Sequence, residues 1–213
     1  MKYIMLKLLA IVFLAFQLSS AAAESYDELL AAVRSNDAPA METLFSRGMD
    51  PNTADPDANT LLMLAVRENH TNLVRRLLEL KVKIGARNRY GETALMLAAS
   101  KGSLETVKLL LEHGASVNQT GWNALIYAAW QGHAEVVKYL LEKGAEIDAV
   151  SPNGVSALMM AARGGHFETV KLLLWEVADP KLKTESGATA LAWALKGGYA
   201  EVAELLRQAG AKE

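Results

Sequence analysis

The residues of this chain best suited to proton transfer or metal ligation are its four histidines, His70, His113, His133 and His166. Three of them share one recurring slot: His133 and His166 lie 33 apart, and Ser103 holds the same slot between His70 and His133. Metal ligands and catalytic groups must converge on one point. Side chains repeated at a fixed interval therefore point to a structural duty, that of opening a helix and hydrogen-bonding to the preceding segment. His113 ends a helix-patterned stretch, where a cation suits the dipole. Acids such as Glu135 and Glu142 fall on an outer helix face, the ordinary place for solvated charge. The absence of cysteine excludes thiol nucleophiles and zinc–thiolate centres. Gly-rich phosphate loops, Gly-x-Ser-x-Gly and His-Glu-x-x-His phrases are also missing. The sequence gives reason to expect no catalytic residue, no metal and no cofactor.

The elements that carry these residues repeat. Thr60-Leu61-Leu62-Met63-Leu64-Ala65 returns at Thr93, Asn123, Ser156 and Thr189, with steps of 33, 30, 33 and 33 residues. Each phrase opens on a polar side chain able to accept a first-turn N–H, which makes it a helix N-cap. Ala pairs such as Ala98-Ala99 close the first helix with small surfaces, and a Val-x-x-Leu-Leu pattern puts the apolar residues of a second helix on the same side. At the start of the chain, Ser25-Tyr26-Asp27-Glu28 has the form of a capping box, and Asp37-Ala38-Pro39 supplies a cap followed by proline. This spacing predicts helices near 25–35, 39–47, 60–68, 72–80, 93–101, 105–112, 123–131, 135–142, 156–163, 168–176, 189–196 and 201–208. No such unit can bury its apolar face alone, so the chain must stack.

The order of landmarks resembles the ankyrin repeat. Each copy has a turn and small polar residue (Asn88-Arg89-Tyr90-Gly91-Glu92-Thr93), Ala-Leu where the family prefers Pro-Leu, and an Ala pair. Gln131-Gly132-His133 or Gly164-Gly165-His166 follows, then the second helix, then a closing Gly114-Ala115 or Gly144-Ala145. Arg47-Gly48-Met49-Asp50 extends the pattern back to a first pair. The resemblance implies an all-α ankyrin-repeat solenoid of about six helix-turn-helix units joined by short β-hairpin-like fingers, with repeats at 25–54, 55–87, 88–119, 120–150, 151–183 and 184–213. Met63, Met96, Ile126, Met159 and Ala192 stand where the family carries histidine. Lys81 and Val177 replace closing glycines at positions that favour positive φ, so those two corners are expected to be rebuilt or weakened.

The resemblance also implies a partner lying on the concave face, formed by finger tips and the exposed ends of first helices. The matching positions include Arg67, Arg89, Tyr90, Glu92, Trp122, Trp130, Asn153, Val155 and Arg163. Trp130 occupies a slot filled elsewhere by Arg67, Ser100, Arg163 and Lys196, which marks it as an anchor. Trp122 has two readings: a second anchor, or a lid over the finger that is three residues short. Tyr127 and Trp193 share a slot with Leu64, Leu97 and Met160 and are expected in the core. Trp175 shares one with Glu112 and Glu142 on the opposite face, as a second contact or a packed corner beside Val177.

Lys2 and Lys7, an apolar run from Leu8 to Leu18 and Ala21-Ala22-Ala23 have the form of a signal peptide over residues 1–23, cleaved after Ala23. The run is far shorter than the ~20 residues of a membrane-crossing helix. Losing Lys2 and Lys7 takes the formal charge from −2 to −4, which disfavours nucleic acid as a partner. The reading is a monomeric, non-catalytic protein-interaction module of the bacterial periplasm. It would bind an envelope or exported protein in an accessory, stress-defence or toxin-neutralising role, without stable membrane insertion. The alternatives are a membrane-tethered scaffold with an uncleaved leader and an enzyme with its site in the concave groove. Amino-terminal sequencing of protein released with periplasmic contents is expected to start at or near Glu24; full-length chain in the membrane fraction would contradict this.

Overall fold

A computed structural model describes residues 24–212; the leader and its cleavage point lie outside the described residues. Twelve helices follow one another among them. The first, α1, covers 24–34 and pairs with α2 (Ala38–Ser46). The remaining pairs are α3 (Leu61–Arg67) with α4 (Thr71–Glu79), α5 (Ala94–Lys101) with α6 (Leu104–Glu112), α7 (Ala124–Trp130) with α8 (Ala134–Glu142), α9 (Ala157–Arg163) with α10 (Phe167–Trp175), and α11 (Ala190–Lys196) with α12 (Ala200–Gln208). From α3 onward the first helices pack side by side in one layer and the second helices form another behind it.

The phrase that repeats is the one that starts each first helix. Thr60, Thr93, Asn123, Ser156 and Thr189 each accept the N–H three residues on, at 3.0–3.3 Å, and each such cap stabilises its helix by about 1 kcal/mol. Asp37 does the same for Ala40 at 2.9 Å. At Ser25 the backbone is already helical, as it is at Glu24, so this residue lies inside α1 rather than ahead of it. The Ala pairs Ala98-Ala99, Ala128-Ala129 and Ala161-Ala162 are fully buried, so neighbouring first helices approach over small side chains. Met63, Met96, Ile126 and Met159, in the family's histidine slot, are buried too; apolar surface replaces a polar turn contact there.

Neighbouring units are tied by bonds that recur at the repeat interval. The Nε2 atoms of His70, His133 and His166 meet the carbonyls of Arg34, Ser100 and Trp130 at 3.0, 2.9 and 2.8 Å. A carbonyl only accepts, so each ring donates from Nε2. The rings need room: a Cβ on Gly102 or Gly132 would come within 2.6 or 2.5 Å of the next unit's His133 or His166, and both glycines have positive φ. A second tie runs through the loops behind the fingers. Asn52, Asn118 and Asp148 accept the N–H groups of Lys83, Glu146 and Asp179 at 2.8–2.9 Å. Gly85, in the same register, has no side chain with which to make the tie.

Four fingers share one construction. Asp55, Asn88, Ser151 and Thr184 donate their backbone N–H to the carbonyl four residues on, while their side chains accept that same residue's N–H at 2.9–3.0 Å. At Asp55, burial raises the carboxyl pKa, but hydrogen bonds from Asn59 and Asp57 outweigh it and hold the group below its ordinary range. The fourth finger, three residues shorter, has no residue in that slot.

The corners at Lys81 and Val177 are not rebuilt. Their φ values are 56° and 70°, close to the left-handed geometry of the glycines at other corners. The helix ending dictates this: Val177 and Ala178 donate to Leu174 and Leu173 at 3.1 and 2.9 Å, as Gly144 and Ala145 donate to Leu141 and Leu140. Ala178 is buried beneath, so the closure holds whatever residue occupies the corner. A β-branched residue there is strained by about 1–2 kcal/mol, and Val177, 81% exposed, has little packing to offset it. Val177→Gly is expected to raise unfolding stability by about 1 kcal/mol net of added chain entropy. A lowered denaturation midpoint would show that the corner carries no strain.

Candidate inner-face binding surface

The finger tips and the last residues of the first helices share one face of the stack. Fingers two and three are linked by the Arg89 N–H donating to the Asp57 carbonyl at 3.0 Å, and fingers five and six by Glu185 donating to Asn153 at 3.0 Å. The Arg89 guanidinium stands 3.8 Å from the Asp57 carboxylate. Asn153 accepts from the Ser151 hydroxyl at 2.6 Å, so its side chain shapes its own turn. Asn59 and Val155, placed on this face by register, are buried.

The short fourth finger changes the surface around it. Gly121 lies against Pro152 of the next finger, and Trp122 is half-buried against the core. Its ring meets Tyr127 edge-on, with centroids 6.0 Å apart and planes at 78°. Tyr127 meets Trp130 in the same manner at 6.3 Å and 66°. Both readings of Trp122 thus describe part of it: it covers the shortened finger and also forms one end of an aromatic row. Trp130, at the other end, is 43% exposed. Tyr127 is not in the core as the slot pattern suggested. It is half-buried, because its hydroxyl extends beyond the position of the leucines it replaces and donates to Glu92 at 3.2 Å.

Glu92 is held from two sides. Its other oxygen accepts from the Asn88 amide at 2.8 Å, and that amide also donates to Asn59 at 2.9 Å. The carboxylate therefore orients Tyr127 from the unit before it. Tyr90, 72% exposed at the third finger's tip, and Arg67, exposed at the end of α3, stand apart from the row. Trp193 departs from expectation in the same way as Tyr127: it is half-buried, and the Arg163 guanidinium lies over its ring at 5.5 Å. Arg163, Trp193, Lys196 and Gly197 line a cavity of about 400 Å³. The slot itself varies: Leu64 and Met160 are buried in it, while Leu97 is half-buried like the two aromatics. Trp175 is 83% exposed on the second-helix side, beside Val177.

Among the described residues, no group of three or more histidine, aspartate or glutamate side chains gathers as a metal would need, and no helix is long and apolar enough to cross a membrane. What the face offers is a row of three rings set edge-on to one another, its last ring exposed, with cations nearby, on a repeating stack of helix pairs. The sequence matches the family described as Ankyrin repeats (3 copies) over residues 29–120, 80–151 and 145–213, and the chain belongs to the ankyrin-repeat family. A crystal structure of an ankyrin repeat domain from Acinetobacter baumannii AYE is 31% identical, with a TM-score of 0.74 over 86% of this chain and 98% of that one. The glycerophosphocholine phosphodiesterase gde1 of Schizosaccharomyces pombe is 40% identical over 86 residues, 38% of this chain. The Candida albicans enzyme GDE1 is 41% identical over 102 residues, 44% of this chain. The matches cover 8% and 9% of those enzymes. The ankyrin fold is typically non-catalytic and serves protein interaction.

Burial, then the charge and hydrogen bond of Glu92, push the Tyr127 phenol up from its ordinary value of 10.0 to about 12. A folded-state value above the unfolded one gives stability that is complete below pH 10 and lost as pH rises toward 12. Urea unfolding across that window is expected to show a steeper loss for the parent than for Tyr127→Phe. Equal slopes would mean that the phenol is free of Glu92 in solution.

Proposed function

We propose that this chain is an exported bacterial ankyrin-repeat protein that binds another protein through the row Trp122, Tyr127 and Trp130, with no catalysis of its own. The observation that carries the reading is Trp130, a large aromatic side chain exposed on a face where its counterparts are Arg67, Ser100, Arg163 and Lys196. Tryptophan is favoured at interface centres because it buries much area with few torsions to freeze. The edge-on contact with Tyr127 and the bond from His166 to its carbonyl restrict it before binding, which lowers the entropy lost on association. Arg163 and Lys196 on one side and Arg89 on the other give the rim its charge. The bacterial origin of the solved domain and the leader-like residues 1–23 support a periplasmic setting. There the chain acts as a monomeric accessory or neutralising factor for an envelope or exported partner.

Trp130→Ala is expected to leave helix content intact and lower the thermal midpoint only slightly, while weakening the partner complex by about 2 kcal/mol or more. Lys83→Ala should change neither, because the tie from Lys83 to Asn52 uses its backbone N–H. Titration of a partner captured from periplasmic extract against both variants and the parent decides the matter. Unchanged affinity with a collapsed midpoint would make the ring a structural filler and move the search to Trp175.

A further inference from the structure

Some cations of this protein stand in ion pairs. Arg75 meets Glu105, Arg76 meets Glu42 and Glu79, and Arg89 meets Asp57. Arg163 and Lys196 stand in none: among the described residues, neither has a carboxylate within ion-pair distance. Both are exposed, and both line the cavity of about 400 Å³ whose wall is Trp193. The Arg163 guanidinium lies over the Trp193 indole, 5.5 Å from its centroid, which holds the cation at the cavity while its N–H donors remain available to an incoming group. Two like charges at one concavity repel each other until an anion lies between them.

We propose that this cradle takes the carboxylate side chains of an acidic, extended segment of the protein partner, and that the same segment sets an apolar residue on Trp130. The inference rests on the inner face being the binding face and adds the chemistry of what binds there. Guanidinium recognises carboxylate by a two-pronged hydrogen bond, and Lys196 adds a second cation at the same cavity. The spacing follows from the stack. Trp130, Arg163 and Lys196 end the adjacent helices α7, α9 and α11. Packed helices lie about 8–10 Å apart, and an extended chain covers that distance in about three residues. A segment crossing the helices therefore carries its apolar residue first and acidic residues about three and six positions further along.

The probe is a capped nine-residue peptide of serine and glycine with leucine at its second position and glutamate at its fifth and eighth. Its control has glutamine at both acidic positions. Titration into isotope-labelled full-length protein, followed by the indole signals of Trp130 and Trp193 and the side-chain signal of Arg163, is expected to give saturable shifts. Removing either charge, by Arg163→Gln or by Lys196→Gln, should weaken binding about fivefold or more, and 0.5 M salt should weaken it further. Two exposed substitutions are used so that a folding defect in one leaves the other informative. Equal binding of the glutamine control at the same residues would overturn the acidic assignment and leave the inner-face reading standing. Displacement by an equal concentration of inorganic phosphate would also overturn it, as the mark of a general anion site. Shifts confined to the Trp175 side would overturn both.

Discussion

Every helix pair in this protein has an apolar flank that only its neighbour can cover, and the rest of the structure depends on that shared boundary. Burial across it supplies the cohesion, while the recurring polar ties set its register. A histidine ring reaching back to the preceding unit's carbonyl, with a glycine making room for it, is a positional lock more than an energetic one. The carbonyl it meets lies at the end of a first helix, where the helix supplies no donor, so the ring and the small residue it passes belong together. Ser103 and Tyr199 occupy the same register as the histidines. Ser103 donates to Asn69 at 2.8 Å, and Tyr199 fills the space against Gly165, so the boundary tolerates different chemistry provided the space is filled.

The deletion of three residues in the fourth finger bears most directly on function. The other fingers close over a side chain that accepts their own backbone N–H, and this one cannot. Indole and phenol rings occupy the space instead, and once there they extend onto the outward face. The residues that fill the short finger thus also make the exposed aromatic row. Glu92 connects this cluster to the preceding unit, and its two acceptor bonds keep the phenol pointed in one direction.

Much of the architecture was legible in the sequence because it follows from local chemistry repeated at a fixed interval. The caps at Thr60 through Thr189, the Asp37 and Pro39 start and the histidine ties all fell where their residue types required. Helix ends agreed within a residue or two. Positions decided by neighbouring units were less legible. Ser25 looked like a cap, but a cap needs a helix that begins after it. Lys81 and Val177 were expected to leave their corners rebuilt or weakened; the corners are not rebuilt, because the helix-ending hydrogen bonds, to Leu78 at the first and to Leu174 and Leu173 at the second, hold the turn. Tyr127 and Trp193 were placed in the core by the company of their slot, but the slot is half-exposed in some units of the stack, and Leu97 is half-buried there too. Of the surface positions read from register, Trp130, Tyr90, Arg67 and Arg163 lie exposed. Glu92 and Asn153 are occupied in holding neighbouring side chains.

The bond from His166 to the carbonyl of Trp130 joins the fifth unit to the backbone of the aromatic row. Rigidity at that row is therefore borrowed from a unit that need not touch a partner. Whatever loosens the fifth unit, whether heat, a strained corner at its far end or loss of the sixth unit that covers it, also frees the Trp130 backbone and raises the entropy that any complex must remove. In this stack, fraying at the carboxyl end reaches the proposed binding row through its backbone, with no contact broken at the surface itself.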